Sequence, residues 1–275
     1  MLRLTALHLY PVKSCCGVAV PAAAVDGLGF VGDRRFLVVD AEGKFLTQRV
    51  QPRMALIETA LTPDELTLSS AAHGSVSVPL QLKNQNPEPK TVVIWRDTVT
   101  ADDCGDEPAA WLSGFLGFPC RLVRAGGTYA RPIPDRKLPP SLDSRPSSPH
   151  GVSFADAFPF MLLSEETLAD LNGRLDAPLP MNRFRPSLVV AGGAPYAEDG
   201  WGRFRIGTVV FHGATRCGRC VVTTTDQATA ERGREPLRTL ATYRSDAEGT
   251  VMFGRNLVHE TKTGRVTVGD AVEFL

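Results

Sequence analysis

The sequence has no run of about 18 apolar residues, the length a helix needs to cross a bilayer, so a helical membrane span is excluded. Cysteine is sparse, six in 275 residues, which separates the chain from small disulfide-stapled secreted folds. No secretory leader is legible, because Arg3 and His8 fall inside what would be its apolar region. An excess of one charge is also missing. Lys+Arg and Asp+Glu both number 30, for a formal net charge of zero. That argues against a generally basic nucleic-acid-binding protein and leaves room for a local basic pocket. Familiar catalytic signatures are absent. There is no HExxH and no GxSxG, and Gly17, Gly27, Gly29 and Gly32 do not make a GxGxxG ahead of a helix. The five histidines (8, 73, 150, 212 and 259) are scattered without metal-ligand spacing. These absences lead us to expect a soluble, cytoplasmic protein with no nucleic-acid partner and no membrane anchor.

The sequence otherwise has a globular composition, 43% apolar and 22% charged, long enough for about two domains at roughly 150 residues each. The pattern is mainly β with a few helices. Leu2 to Tyr10 alternates and stops at Pro11. Arg35 to Asp40 and Lys44 to Arg49 flank Ala41-Glu42-Gly43 as a hairpin. Short strands are predicted over 55–61, 66–69, 75–78, 92–95 and 98–101, and again over 187–191, 204–206, 209–212, 220–224, 266–268 and 271–274. Many short strands with frequent turns favour a barrel over a doubly wound α/β fold. Helices are predicted over 106–116 and, capped by Ser164, over 164–175, with a shorter one over 235–243. Residues 131–150 are dense in proline and read as a long irregular loop.

Three features carry chemistry. The first is Arg216-Cys217-Gly218-Arg219-Cys220, followed by a Val-Val-Thr-Thr-Thr run. Basic neighbours should lower a thiol pKa, and a thiolate binds soft or high-valent metals. A structural zinc site would need a second cysteine pair, and a redox pair would need to open a helix, whereas the β-branched run predicts a strand. Two buried structural cysteines remain an alternative. The second feature is a set of cations in turns: Lys13 beside Ser14, Arg34, Arg49 and Arg185. Together they could hold a phosphate, although any one alone reads as surface charge. The third is Asp156, followed by Ala157, among apolar residues; it is a turn-former or a buried acceptor.

Several strings, in order, resemble one family. They are Tyr-Pro-Val-Lys-Ser at 10–14, Gly-Asp-Arg-Arg-Phe at 32–36, Thr-Gln-Arg at 47–49, Phe-Arg-Pro at 184–186, Cys-Gly-Arg-Cys at 217–220 and Phe-Gly-Arg-Asn at 253–256. The chain is similar throughout to MOSC proteins (molybdenum cofactor sulfurase C-terminal domain), in particular the amidoxime-reducing branch. The resemblance implies an N-terminal MOSC-associated β domain over 1–123 joined to a MOSC β-barrel over 124–275. It implies a molybdenum cofactor (Mo-molybdopterin), with Cys220 as its protein thiolate ligand and catalytic residue. Lys13, Ser14, Arg34 and Arg185 would hold the anionic pterin and its phosphate. Asp156 and Ala157 would contact the pterin, and Arg216, Cys217, Gly218 and Arg219 would line the metal pocket. The implied activity is reduction of small N-hydroxylated compounds, with electrons from a separate ferredoxin-, flavin- or cytochrome-type protein. A carrier that holds sulfur as a cysteine persulfide, or holds the cofactor itself, is the alternative. Ala157 stands where relatives can offer a hydroxyl, and 227–230 departs from the turn common among them.

Overall fold

The computed structural model describes residues 1–80, 88–140, 142 and 150–275. Its main element is an eight-stranded sheet. In spatial order the strands are Val272–Phe274, Arg203–Ile206, Val209–Gly218, Met252–His259, Phe160–Ser164, Leu188–Ala191, Arg3–Leu9 and Val18–Val20. Neighbours run antiparallel except Phe160–Ser164 beside Leu188–Ala191, which run parallel. The sheet closes on itself. Arg3 bridges Ala271, and the Val272 N–H donates to the Leu2 carbonyl at 3.1 Å. A closed sheet has no exposed edge and encloses a side-chain core. That core contains Leu4, Leu7, Phe160, Leu188, Phe204, Ile206, Phe211 and Leu257. Phe160 is edge-on to both Phe30 and Phe211. Each such side chain contributes roughly 1.5–3 kcal/mol by burial.

The first residues thus pair with the last. Arg3–Leu9 lies against Leu188–Ala191, and Ala22–Asp26 pairs with Gly264–Thr267. Chain segments from the expected first domain supply strands to the barrel of the second. Among the described residues three smaller sheets accompany it. One orders Gly264–Thr267, Ala22–Asp26 and Gly29–Phe30. A second orders Phe36–Asp40, Cys120–Arg124, Asp97–Asp103 and Pro89–Ile94; the third orders Glu58–Leu61, Glu65–Ser70 and Gly74–Pro79.

Helix α1, Asp106–Leu116, has acids in its first turn and stops at Gly117, whose φ of 86° suits glycine. It buries Ala109, Leu112, Phe115 and Leu116. Helix α2, Glu165–Asn172, is capped by Ser164, whose hydroxyl accepts the Thr167 N–H at 3.1 Å. It lies in the crossover between the two parallel strands, as such connections require. Helix α3, Leu237–Ala241, starts after Pro236, shorter than the sequence predicts.

Two expectations are corrected. The second arm of the hairpin after Gly43 is reduced to bridges at Lys44 and Phe45, and residues 47–50 form a turn. The segment 220–224 is not a strand. Val221–Thr224 is a 3-10 turn, because the Thr223 and Thr224 hydroxyls donate back to the Cys220 and Val221 carbonyls at 3.0 and 2.8 Å. That local alternative outweighs β propensity. The loop expected over 131–150 lies partly outside the described residues; its described part contains a short 3-10 turn, Asp135–Lys137.

Candidate functional site

One cavity of about 360 Å3 opens where the turns after the first strands meet the ends of barrel strands. Every residue singled out from the sequence lines it: Lys13, Ser14, Arg34, Asp156, Ala157, Arg185, Arg216, Cys217, Gly218, Arg219 and Cys220, along with Arg49. Arg183 joins them. The wall therefore carries seven cations (Lys13 and six arginines) and one carboxylate, Asp156. A chain of zero net charge has concentrated positive charge in one concavity.

Backbone strain is concentrated here. Ser14, Arg34 and Arg185 have φ of 70°, 50° and 55°, the left-handed region that non-glycine residues rarely adopt and that costs of order 1–3 kcal/mol each. Surrounding bonds enforce it. The Arg34 N–H donates to the Tyr10 carbonyl at 2.8 Å, its carbonyl accepts the Phe154 N–H at 3.1 Å, and the Ser14 carbonyl accepts Gln48 Nε2 at 2.8 Å. The result turns three side chains from different segments to one place.

The cations fall into two groups. Lys13 is buried and donates from Nζ to the Phe154 carbonyl at 2.8 Å and to the half-exposed Asp156 carboxylate. Burial brings the Lys13 ammonium down to about 8, with Asp156 opposing. Desolvation favours the neutral acid at Asp156, but Lys13 and Arg49 outweigh it and hold the carboxyl well below its ordinary range. Trp95 Nε1 and Arg49 also donate to Asp156, each at 3.3 Å. Arg34 is tied to Asp33. Arg219 is committed to structure: its guanidinium donates to the Phe253 and Phe184 carbonyls at 2.7 and 3.0 Å. Gly254, at φ 82°, leaves room for it, since a Cβ there would lie 3.2 Å from Arg219 Nη2 and 2.9 Å from the Leu162 carbonyl. The other group has unused donors. Among the described residues, Arg185 and Arg216 have no carboxylate within ion-pair distance, and Arg183 Nε is buried with no partner. Burial lowers the pKa of both Arg183 and Arg185, so an anion beside them would relieve an existing cost.

The two cysteines differ. Cys217 ends a barrel strand and packs with Phe184, Leu240 and Phe253. The sequence led us to expect a thiol pKa lowered by arginine, but burial pushes the Cys217 thiol up, outweighing Arg219. Cys220 sits at the mouth of the 3-10 turn, on the cavity wall, and its thiol makes no hydrogen bond among the described residues. Among the described residues no group of three His, Cys, Asp or Glu could hold a metal ion by itself. A metal here needs most of its ligands from elsewhere, and an anionic cofactor that brings its own would fit this donor set.

Residues 1–119 match the MOSC N-terminal beta barrel domain and residues 149–273 match the MOSC domain. The chain belongs to the MOSC family. This MOSC protein is 35% identical to the human mitochondrial amidoxime-reducing component 1, over 98% of its own length and 82% of the relative's. It is 34% identical to the mouse protein of the same name, over 98% and 81%. It is also 32% identical to the zebrafish (Danio rerio) molybdenum cofactor sulfurase, over 94% of its own length and 32% of that larger protein. The mainly β fold expected of the family is the one observed. No helix among the described residues is long and apolar enough to cross a membrane.

Sequence reasoning missed two cavity-related arginines. Arg183 immediately precedes the Phe-Arg-Pro string, at the end of the 3-10 turn Met181–Arg183, where its position alone could have flagged it. Arg131, which anchors the Asp156 loop, lies in the proline-dense stretch and had no local signal.

Proposed function

We propose that this MOSC protein is a molybdenum-cofactor-dependent oxidoreductase that reduces N-hydroxylated compounds: hydroxylamines, amidoximes and N-hydroxylated bases. The observation that carries this reading is the unbonded Cys220 thiol on the wall of a cavity with seven cations and one carboxylate. The names of the two mammalian relatives support the substrate class. In this reading residues 1–123 and 124–275 are the two domains, with the site between their turns.

When bound, the molybdenum cofactor supplies the two-electron chemistry; the protein supplies orientation and charge. Cys220, as thiolate, is the protein ligand to the metal. Lys13, Ser14, Arg34 and Arg185 hold the terminal phosphate and pterin, where a dianion matches guanidinium and ammonium donors. Asp156, Ala157 and the 216–219 segment complete the wall. The substrate N–O bond breaks, and its oxygen leaves as water with two electrons and two protons. The electrons come from a separate ferredoxin-, flavin- or cytochrome-type protein, and the setting is cytoplasmic. The match to molybdenum cofactor sulfurase favours one second reading, a carrier that holds sulfur as a persulfide on Cys220 or Cys217, or holds the cofactor.

The test is turnover. Protein made in a host with the cofactor, given a chemical reductant, should convert benzamidoxime to benzamidine, and Cys220→Ser should abolish the reaction. A molybdenum-loaded chain that reduces no N-hydroxylated compound would refute the activity.

A further inference from the structure

The loop that carries Asp156 has an unusual division of its backbone groups. Five consecutive carbonyls all accept from side chains. Val152 accepts from the Tyr129 hydroxyl at 3.2 Å and Phe154 from Lys13 Nζ at 2.8 Å. The guanidinium of Arg131 takes the other three, donating to Ser153 at 3.1 Å, Ala155 at 2.5 Å and Asp156 at 3.0 Å. The N–H groups of Ala155, Asp156, Ala157 and Phe158 have no partner among the described residues, and all four residues line the cavity. A peptide strip whose acceptors are capped by cations and whose donors are unused is polarised toward an anion.

Arg131 is fixed for this task. It is 5% exposed, and its Nε donates to Asp97 Oδ2 at 2.7 Å. Asp97 lies in the same hairpin turn as Trp95, whose indole donates to the Asp156 carboxylate. One turn of an outer sheet thus holds the loop through both its backbone and its carboxylate. The carboxylate, engaged by Lys13, Arg49 and Trp95, is held by donors of its own.

We propose that Arg131 is a positioning residue: by occupying three carbonyls of residues 153–156, it presents the amides of 155–158 to an anionic ligand of the phosphate class in the cavity. This deepens the proposed cofactor reading and rests on it for the identity of the physiological ligand, but the binding chemistry is independent of molybdenum.

The experiment uses the full chain made without the cofactor, with inorganic phosphate as probe. Amide hydrogen exchange resolved at 155–158 should slow when phosphate is added to the wild type. Arg131→Lys keeps the charge and can still reach Asp97, but loses the fork across three carbonyls. It should bind phosphate roughly tenfold more weakly, the scale of one charge-assisted contact. Exchange at 155–158 that ignores phosphate, or Arg131→Lys binding it as the wild type does, would overturn the proposal. If the lysine variant fails to fold, Asp97→Ala, which removes the carboxylate that holds Arg131 Nε, takes its place: it should weaken phosphate binding in the same direction, and wild-type binding by it would overturn the proposal. Phosphate protection in a chain that never takes up molybdenum would keep this proposal and remove the reductase reading. A molybdenum-loaded chain with no protection would do the reverse.

Discussion

Arg34 and Arg185, 151 positions apart in sequence, share one aromatic ring: their guanidinium carbons lie 4.5 and 4.2 Å from the Tyr10 centroid. Arg34 Nη2 also donates to the Arg185 carbonyl at 3.3 Å. The ring's quadrupole and the buried Asp33 partly offset the repulsion between two like charges. An anion would offset more of it. The cavity is therefore electrostatically unfinished without a negatively charged ligand.

Arg185 provides a direct check. Its removal takes away a desolvated cation without a carboxylate partner among the described residues, so Arg185→Ala should leave the melting temperature of the cofactor-free protein unchanged or higher. Cofactor affinity should fall about 10- to 100-fold, and the cofactor retained through purification should drop with it, since a charge-assisted hydrogen bond contributes about 1.5–3 kcal/mol. Elemental analysis beside thermal melting reads both. Full molybdenum occupancy in the variant would remove the anion-pocket argument.

The two cysteines should separate. Cys220→Ser should lose the metal and all activity while it keeps its fold, because its thiol makes no structural hydrogen bond among the described residues. Cys217→Ser should cost stability, since it places a hydroxyl among Phe184, Phe253 and Leu240, and should retain most of the metal. Because Cys217 is only partly buried, the penalty expected is about 1 kcal/mol, the low end for a hydroxyl moved into apolar surroundings. Equal metal loss in both variants would undercut the assignment of Cys220.

Lys13 gives a pH dependence with two opposite signs. Its folded pKa, about 8, lies below its ordinary value of 10.5 because burial disfavours the charge. Below pH 8 both folded and unfolded chains carry the proton, and the burial cost is fully present. Between pH 8 and 10.5 the unfolded chain holds more protons, so this residue's contribution to stability rises with pH. Anion binding should do the opposite and weaken as the ammonium is lost. Phosphate affinity of the cofactor-free chain, titrated from pH 7 to 10, should fall through an inflection at or somewhat above 8, since bound anion favours the charged form. Lys13→Gln should abolish that inflection. Lys262, also brought to about 8 by burial, lies outside the cavity lining and should not affect it.

The Ser164 cap tests the scaffold apart from the site. Its hydroxyl serves the Thr167 N–H, the Thr167 hydroxyl and the buried Glu198 carboxylate. Ser164→Ala should cost about 1–2 kcal/mol in urea unfolding, the upper range for a lost N-cap. Molybdenum content should be unchanged.

Much of this was legible because it is local. The span of α1 could be read from its acids and apolar spacing, and Ser164 is where a capping rule places it. The cavity residues were legible as strings, but only their resemblance to a family joined them: nothing in the spacing of Lys13, Arg34, Asp156, Arg185 and Cys220 puts them within one 360 Å3 space. What the sequence hid is non-local or depends on side-chain bonds. Ala22–Asp26 has no alternation and becomes a strand because Gly264–Thr267 pairs with it. Val221–Thr224 has the composition of a strand and turns because two threonine hydroxyls bond backward. Arg131 looks like any loop arginine until three carbonyls converge on it.

The central claim is that Cys220 and the surrounding cations hold a molybdenum cofactor. The most direct test is the molybdenum-to-protein ratio, by elemental analysis, of full-length chain purified from a host that makes the cofactor. The account predicts a ratio approaching one for the wild type and near zero for Cys220→Ser. A wild-type ratio near zero, with no pterin and with sulfane sulfur on Cys220, would contradict it and establish the carrier reading instead.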